Sequence, residues 1–104
     1  MRIEQILQGE IEESQRALDE AIDDTIYRRD HSKRIELITW VLDNMKNPDI
    51  FICEIIESKM NEIIDKINKT HDVFVADLLH SELQILDWIL YLICSNEIKK
   101  FERI

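Results

Sequence analysis

Residues 48–68 read PDIFICEIIESKMNEIIDKIN, and their isoleucines and methionine return every three or four positions. That period places the apolar side chains on one face of a helix and leaves acids such as Glu54 on the other. The stretch opens at Asn47-Pro48-Asp49, where Asn is a good N-cap and Pro suits the first helical position. We therefore predict an amphipathic helix over 48–68.

The same period runs through most of the remaining chain, over about 2–28, 32–46 and 72–101. Gly9 and Pro48 are the only glycine and proline, so few turns are available and the helices must be long. The run 28–34 contains no hydrophobic residue, which favours a break there, although a helix that continues through it is also possible. The sequence predicts one all-α domain over 1–104, an antiparallel bundle of three to four long helices.

The fourth segment differs from the others because apolar side chains cover more than half of its circumference. A helix that is apolar nearly all round must be covered by neighbours, and the other segments of one chain cover only part of it. We therefore predict a homodimer that forms through this helix. The residues predicted to self-associate are Leu83, Leu86, Trp88, Leu90, Tyr91 and Ile93.

Glu82 falls in the middle of this apolar face, between Leu79 one turn back and Leu86 one turn ahead. An unpaired buried charge is very costly, so this carboxylate is paired, protonated or at an interface. Glu82 is the buried polar candidate of the sequence. It is either a catalytic acid or metal ligand or, as we favour, a residue that fixes the packing by bonding to a neighbour such as Ser14.

The chain carries a net charge of −9, and its acids are spread unevenly. Residues 1–27 hold eight acids and two bases, whereas residues 28–34 hold four bases and one acid. This balance argues against nonspecific binding of nucleic acid or anionic membranes, and it fits a basic protein partner. The basic run either binds a partner's acids or pairs with acids of this chain. The first helix carries an acidic ridge, and its predicted partner-binding residues are Glu12, Glu13, Asp19, Glu20, Asp23 and Asp24.

Carboxylates three positions apart, such as Glu10 and Glu13, resemble the paired acid motifs of helical, magnesium-dependent nucleotide pyrophosphohydrolases. The chain departs from that family because a second acidic motif at a compatible spacing and a basic substrate-binding set are both missing. We assign no catalytic residue, no cofactor and no metal ligand. One alternative is a metal-dependent (Mg or Mn) hydrolase assembled across a dimer from Glu10, Glu13 and Glu82. Another is a purely structural oligomerisation module.

Cys53 and Cys94 lie 41 positions apart on apolar helical faces. They could pair in an oxidising compartment, but we expect buried, reduced thiols. The sequence shows no signal peptide and no apolar run of the length that spans a membrane, so we expect a cytoplasmic protein.

In composition and helix pattern the chain resembles phage-encoded inhibitors, antitoxins, bacteriocin immunity proteins and secretion chaperones. This resemblance of class involves no shared motif. It implies a phage or bacterial regulator that binds one specific, basic protein, a nucleic-acid-binding protein among the candidates, and blocks or escorts it stoichiometrically. We predict such a binding module rather than an enzyme.

Overall fold

The computed structural model describes the backbone of residues 3–20 and 25–102, and the side chains of residues 3–20 and 25–94. It contains the helices α1 (Ile3–Glu20), α2 (Thr25–Met45), α3 (Ile52–Lys69) and α4 (Val73–Glu102). The described ranges contain no strand, so the predicted all-α fold is confirmed. The chain divides into two compact units, Met1–Asn47 and Pro48–Ile104, which we call the N-terminal and C-terminal units.

In the N-terminal unit, α1 packs on α2 as an antiparallel helical hairpin. Two contacts fix the direction, because Arg34 pairs with Glu10 while Arg28, earlier in α2, reaches the carbonyl of Leu18, later in α1. The buried apolar side chains gather toward the start of α1 and the end of α2. They are Leu7, Leu37, Ile38 and Val41.

The predicted break at 28–34 is wrong, because α2 runs unbroken from Thr25 to Met45. Arginine and lysine are good helix formers, and the run has no glycine or proline that would end a helix. Its charges are also paired with neighbouring acids, as in the contact of 3.0 Å between Lys33 and Glu36 one turn ahead. A helix therefore continues here without apolar residues.

The C-terminal unit is a second antiparallel hairpin, in which α3 packs on α4. Its buried side chains recur at intervals of seven residues, the spacing that keeps one helix face on a neighbour. They include Ile56 and Ile63 on α3 and Leu79, Leu86 and Ile93 on α4. At the start of α4, the Asp72 carboxylate accepts hydrogen bonds from the amides of Phe74 (2.9 Å) and Val75 (3.3 Å). Asp72 therefore caps this helix.

Helix α3 begins at Ile52, four residues after the predicted start. The N-cap is Phe51, which makes no side-chain capping bond. The amide of Asn47 instead donates to the carbonyl of Asn44 at 3.2 Å, which closes a turn at the end of α2. Asn47-Pro48-Asp49 therefore belongs to the connection between α2 and α3, and the predicted Asn47 cap is wrong.

Cys53 and Cys94 form a disulfide, with their Cα atoms 6.4 Å apart. The expectation of reduced thiols is therefore wrong for this structure. The two residues are far apart in sequence, but the antiparallel hairpin brings the start of α3 beside the later part of α4. That distance lies within the usual range for disulfides.

Candidate functional site

The outer surface of α1 carries four exposed carboxylates, which we call the acidic face. Its members are Glu12, Glu13, Asp19 and Glu20. Helical geometry advances about 100° per residue, which puts all four within roughly 60° of the direction opposite Leu7. Leu7 and Ser14 are buried, at 0% and 2% exposure, so the acidic face is the side of α1 that does not pack on α2. The other two predicted partner-binding residues, Asp23 and Asp24, lie outside the described residues.

Among the described residues of the N-terminal unit, few contacts neutralise the acidic face. Arg16 lies 3.6 Å from Glu13, and both side chains are more than two-thirds exposed, at 68% and 72%. Gln15 donates a long hydrogen bond of 3.4 Å to Asp19. Exposed ion pairs of this kind contribute at most about 1 kcal/mol because water screens them. The four carboxylates are thus accessible to an incoming cationic surface.

The four bases of the basic run 28–34 make contacts with their own unit. The Arg34 guanidinium contacts the Glu10 carboxylate at 2.6 Å, and about two-thirds of each side chain is buried. Arg28 donates to the carbonyl of Leu18 at 2.6 Å. Ion pairs within α2 hold the two remaining bases of the run, Arg29 with Asp30 and Lys33 with Glu36. Of the two interpretations that the sequence left open, the structure shows pairing with the chain's own acids.

A groove of about 660 Å³ lies between the first half of α1 and the last turns of α2. Its apolar lining consists of three half-buried side chains, Ile11, Leu42 and Met45. The polar lining is Glu4, Gln5, Gln8, Thr39, Asp43 and Lys46. Lys46 lies 3.6 Å from Asp43, so its charge is partly compensated. Sequence reasoning missed this groove, since its two walls are more than 25 residues apart in the chain.

The predicted self-association residues of α4 divide into two groups. Leu86 (0% exposed) and Ile93 (2%) are buried within the chain itself, so they belong to the core and leave no surface for a second copy to touch. Tyr91 is 70% exposed, and Leu83, Trp88 and Leu90 are half-buried. Among the described side chains of α4, the most exposed apolar ones lie instead at its start, at Val73 and Phe74.

The two α1 carboxylates of the metal-dependent alternative, Glu10 and Glu13, each contact an arginine. Glu10 is paired with Arg34, and Glu13 lies beside Arg16. Glu82 is half-buried rather than enclosed, and the buried polar side chain of the described core is Ser14. Within the described residues, no group of three or more His, Cys, Asp or Glu side chains is placed to hold a metal ion.

Comparison with known proteins identifies no family, because no family model, no curated protein and no solved structure matches the sequence. Over the described residues, no helix is long and apolar enough to cross a membrane.

Proposed function

We propose that this protein is a stoichiometric binding module that docks its acidic face on a basic surface of another protein and blocks or escorts that protein. The observation that carries the proposal is the set of four exposed carboxylates on the side of α1 opposite its buried residues. Because α1 is anchored through that buried side, the carboxylates are presented on a fixed helical framework, and a partner need not order them first.

The net charge of the whole chain supports the same function. A molecule with a net charge of −9 attracts a basic protein over distances comparable with the Debye length, about 8 Å at physiological salt. Such attraction mainly accelerates association and rejects acidic competitors, and it weakens as salt is added. Three of the four bases of the basic run, Arg29, Lys33 and Arg34, are paired with acids of the same unit, and the net charge of −9 already includes the whole run.

Two variants with equal changes in charge test the proposal. The first neutralises the acidic face by Glu12→Gln, Glu13→Gln, Asp19→Asn and Glu20→Gln. The matched control neutralises four other exposed acids, by Glu54→Gln, Glu57→Gln, Glu62→Gln and Asp87→Asn. Proteins captured from a bacterial lysate by each variant and by the unaltered chain are quantified by mass spectrometry at low and high salt.

We expect a basic protein that the unaltered chain and the control capture at low salt, and that the acidic-face variant captures at least tenfold less. Calorimetry with that protein should then give one molecule bound per chain, as expected for a stoichiometric partner. Equal capture by the two variants would refute docking through the acidic face, because net charge alone would then explain the binding.

Self-association through α4 and a cytoplasmic location both stay proposals. Of the residues predicted to self-associate, Tyr91 is the exposed one that a second copy would contact, since Leu86 and Ile93 are buried in the core. Light scattering on the purified protein measures its mass directly. The disulfide bears on the location, because disulfides persist in oxidising compartments and are rare in a reducing cytosol.

A further inference from the structure

The groove of the N-terminal unit and the acidic face both lie on α1. Gln8 lines the groove on α1, and Glu12 and Asp19 follow it along the same helix. At about 100° per residue, these three side chains fall within roughly 40° of one another around the helix axis. At 1.5 Å per residue, Glu12 stands roughly 6 Å and Asp19 roughly 16 Å beyond Gln8 along that axis. An apolar pocket is thus continued by two exposed carboxylates in a line.

From this juxtaposition we propose that the groove receives one amphipathic helix of the basic partner, laid along α1. The proposal rests on the proposed function for the identity of the partner. The apolar side chains of this helix occupy the space above Ile11, Leu42 and Met45. Its lysine or arginine side chains follow one to three turns later on the same face, where they reach Glu12 and Asp19.

The dimensions and chemistry of the groove fit such an occupant. Its α1 wall runs from Glu4 to Ile11, which is two helical turns or about 10 Å, enough for apolar side chains at positions i, i+3 and i+7 of a docked helix. Met45 is flexible and polarizable, so it adapts to branched or unbranched partners. Glu4 adds an exposed carboxylate on the α1 wall, which favours a cation of the occupant on that side, whereas Asp43 on the α2 wall lies 3.6 Å from Lys46.

The test uses the whole protein and a synthetic helical peptide of about five turns. The peptide carries leucines at i, i+3 and i+7 in its first half and lysines on the same face in its second half. A second peptide has glutamate in place of each lysine. Fluorescence anisotropy of the labelled peptides measures binding to the unaltered chain and to three variants.

Gln8 is exposed and lines the groove, so the larger side chain of Gln8→Trp should fill the groove without removing a buried side chain from the core. Asn61→Trp, on an exposed position of α3, is the matched control for an added tryptophan. The third variant, Glu12→Gln with Asp19→Asn, removes the two carboxylates beyond the groove. Circular dichroism checks that each variant keeps its helical content.

We expect the unaltered chain to bind the lysine peptide at least tenfold more tightly than the glutamate peptide. Gln8→Trp should weaken binding of the lysine peptide about tenfold, while Asn61→Trp should leave its affinity unchanged. Removal of the two carboxylates should reduce the preference for lysine to less than threefold. Undiminished binding by Gln8→Trp, or the same loss with Asn61→Trp, would overturn the proposal.

The experiments can refute the docked helix and the proposed function separately. If Gln8→Trp retains the captured basic protein while the acidic-face variant loses it, the docked helix is refuted and the proposed function stands. If the peptide binds in the groove but neutralising the acidic face leaves capture unchanged, the proposed function falls instead.

Discussion

Opening the Cys53–Cys94 disulfide should lower the free energy of unfolding of the C-terminal unit by about 4 kcal/mol. The cross-link joins residues 41 positions apart, and chain entropy gives that value at 25 °C because the reduced unfolded chain has many more conformations. Typical domains are stable by only about 5–15 kcal/mol, so the loss removes a large part of the total. With a urea m-value of about 1 kcal/mol/M, the midpoint of unfolding should fall by roughly 3–4 M.

Two tryptophans make the assay specific for each unit, since Trp40 lies in α2 and Trp88 in α4. The variant Trp40→Phe reports only the C-terminal unit, and Trp88→Phe reports only the N-terminal unit. Urea unfolding of both is followed by fluorescence with and without a thiol reductant. The double variant Cys53→Ala with Cys94→Ala, which cannot form the bond, serves as the control for effects of the reductant itself.

The midpoint of the unfolding transition that Trp88 reports should shift to a lower urea concentration on reduction and in the double variant. Intact mass after alkylation without reductant should first show that no free thiol reacts. A change of less than 1 kcal/mol in the free energy of unfolding reported by Trp88 would refute the reasoning. So would alkylation of both cysteines when the alkylating reagent is added at cell lysis. The second result would also favour the predicted cytoplasmic location.

Two substitutions test local determinants of the helices by thermal or urea unfolding. Gly9→Ala should stabilise the protein by about 0.5–1 kcal/mol, because a Cβ at this helical position meets nothing within 4 Å beyond its chain neighbours and the nearby backbone of its own helix, and alanine loses less entropy on folding. Unchanged or lower stability would mean either that Gly9 is not helical or that its Cβ position is not free of neighbours. Asp72→Ala should cost about 1 kcal/mol through loss of the cap of α4, whereas Asp72→Asn should nearly retain stability. Equal losses in the two variants would contradict the capping role.

Periodicity predicted the helices well where an apolar face is buried. The spacing of Ile56 and Ile63 on α3, and of Leu79 and Leu86 on α4, was visible in the sequence, and these residues are buried in the structure. The Asp72 cap was also foreseeable, because its signal is local. Features of this kind depend on a few residues that are close together in the chain, so they can be predicted from one sequence.

The remaining features depend on which helices become neighbours, and the apolar pattern does not specify that. The run 28–34 looked like a connection because it has no apolar residue, yet Arg34 reaches Glu10 only once α1 lies alongside α2. The same is true of the disulfide, which needs α3 and α4 to be antiparallel. The groove likewise takes its walls from two helices, and Leu86 proved to be core because α4 already has a partner within its own unit.

The N-terminal hairpin is held by different forces at its two ends. Toward the start of α1 and the end of α2, the buried residues Leu7, Ile38 and Val41 exclude water, and added salt leaves such contacts intact or strengthens them. Toward the basic run, the described attachments are hydrogen bonds and ion pairs such as that of Arg34. Electrolyte weakens the exposed ones. Added salt therefore acts unequally on the two ends, since it weakens exposed charged contacts toward the basic run while the apolar contacts beside the groove persist.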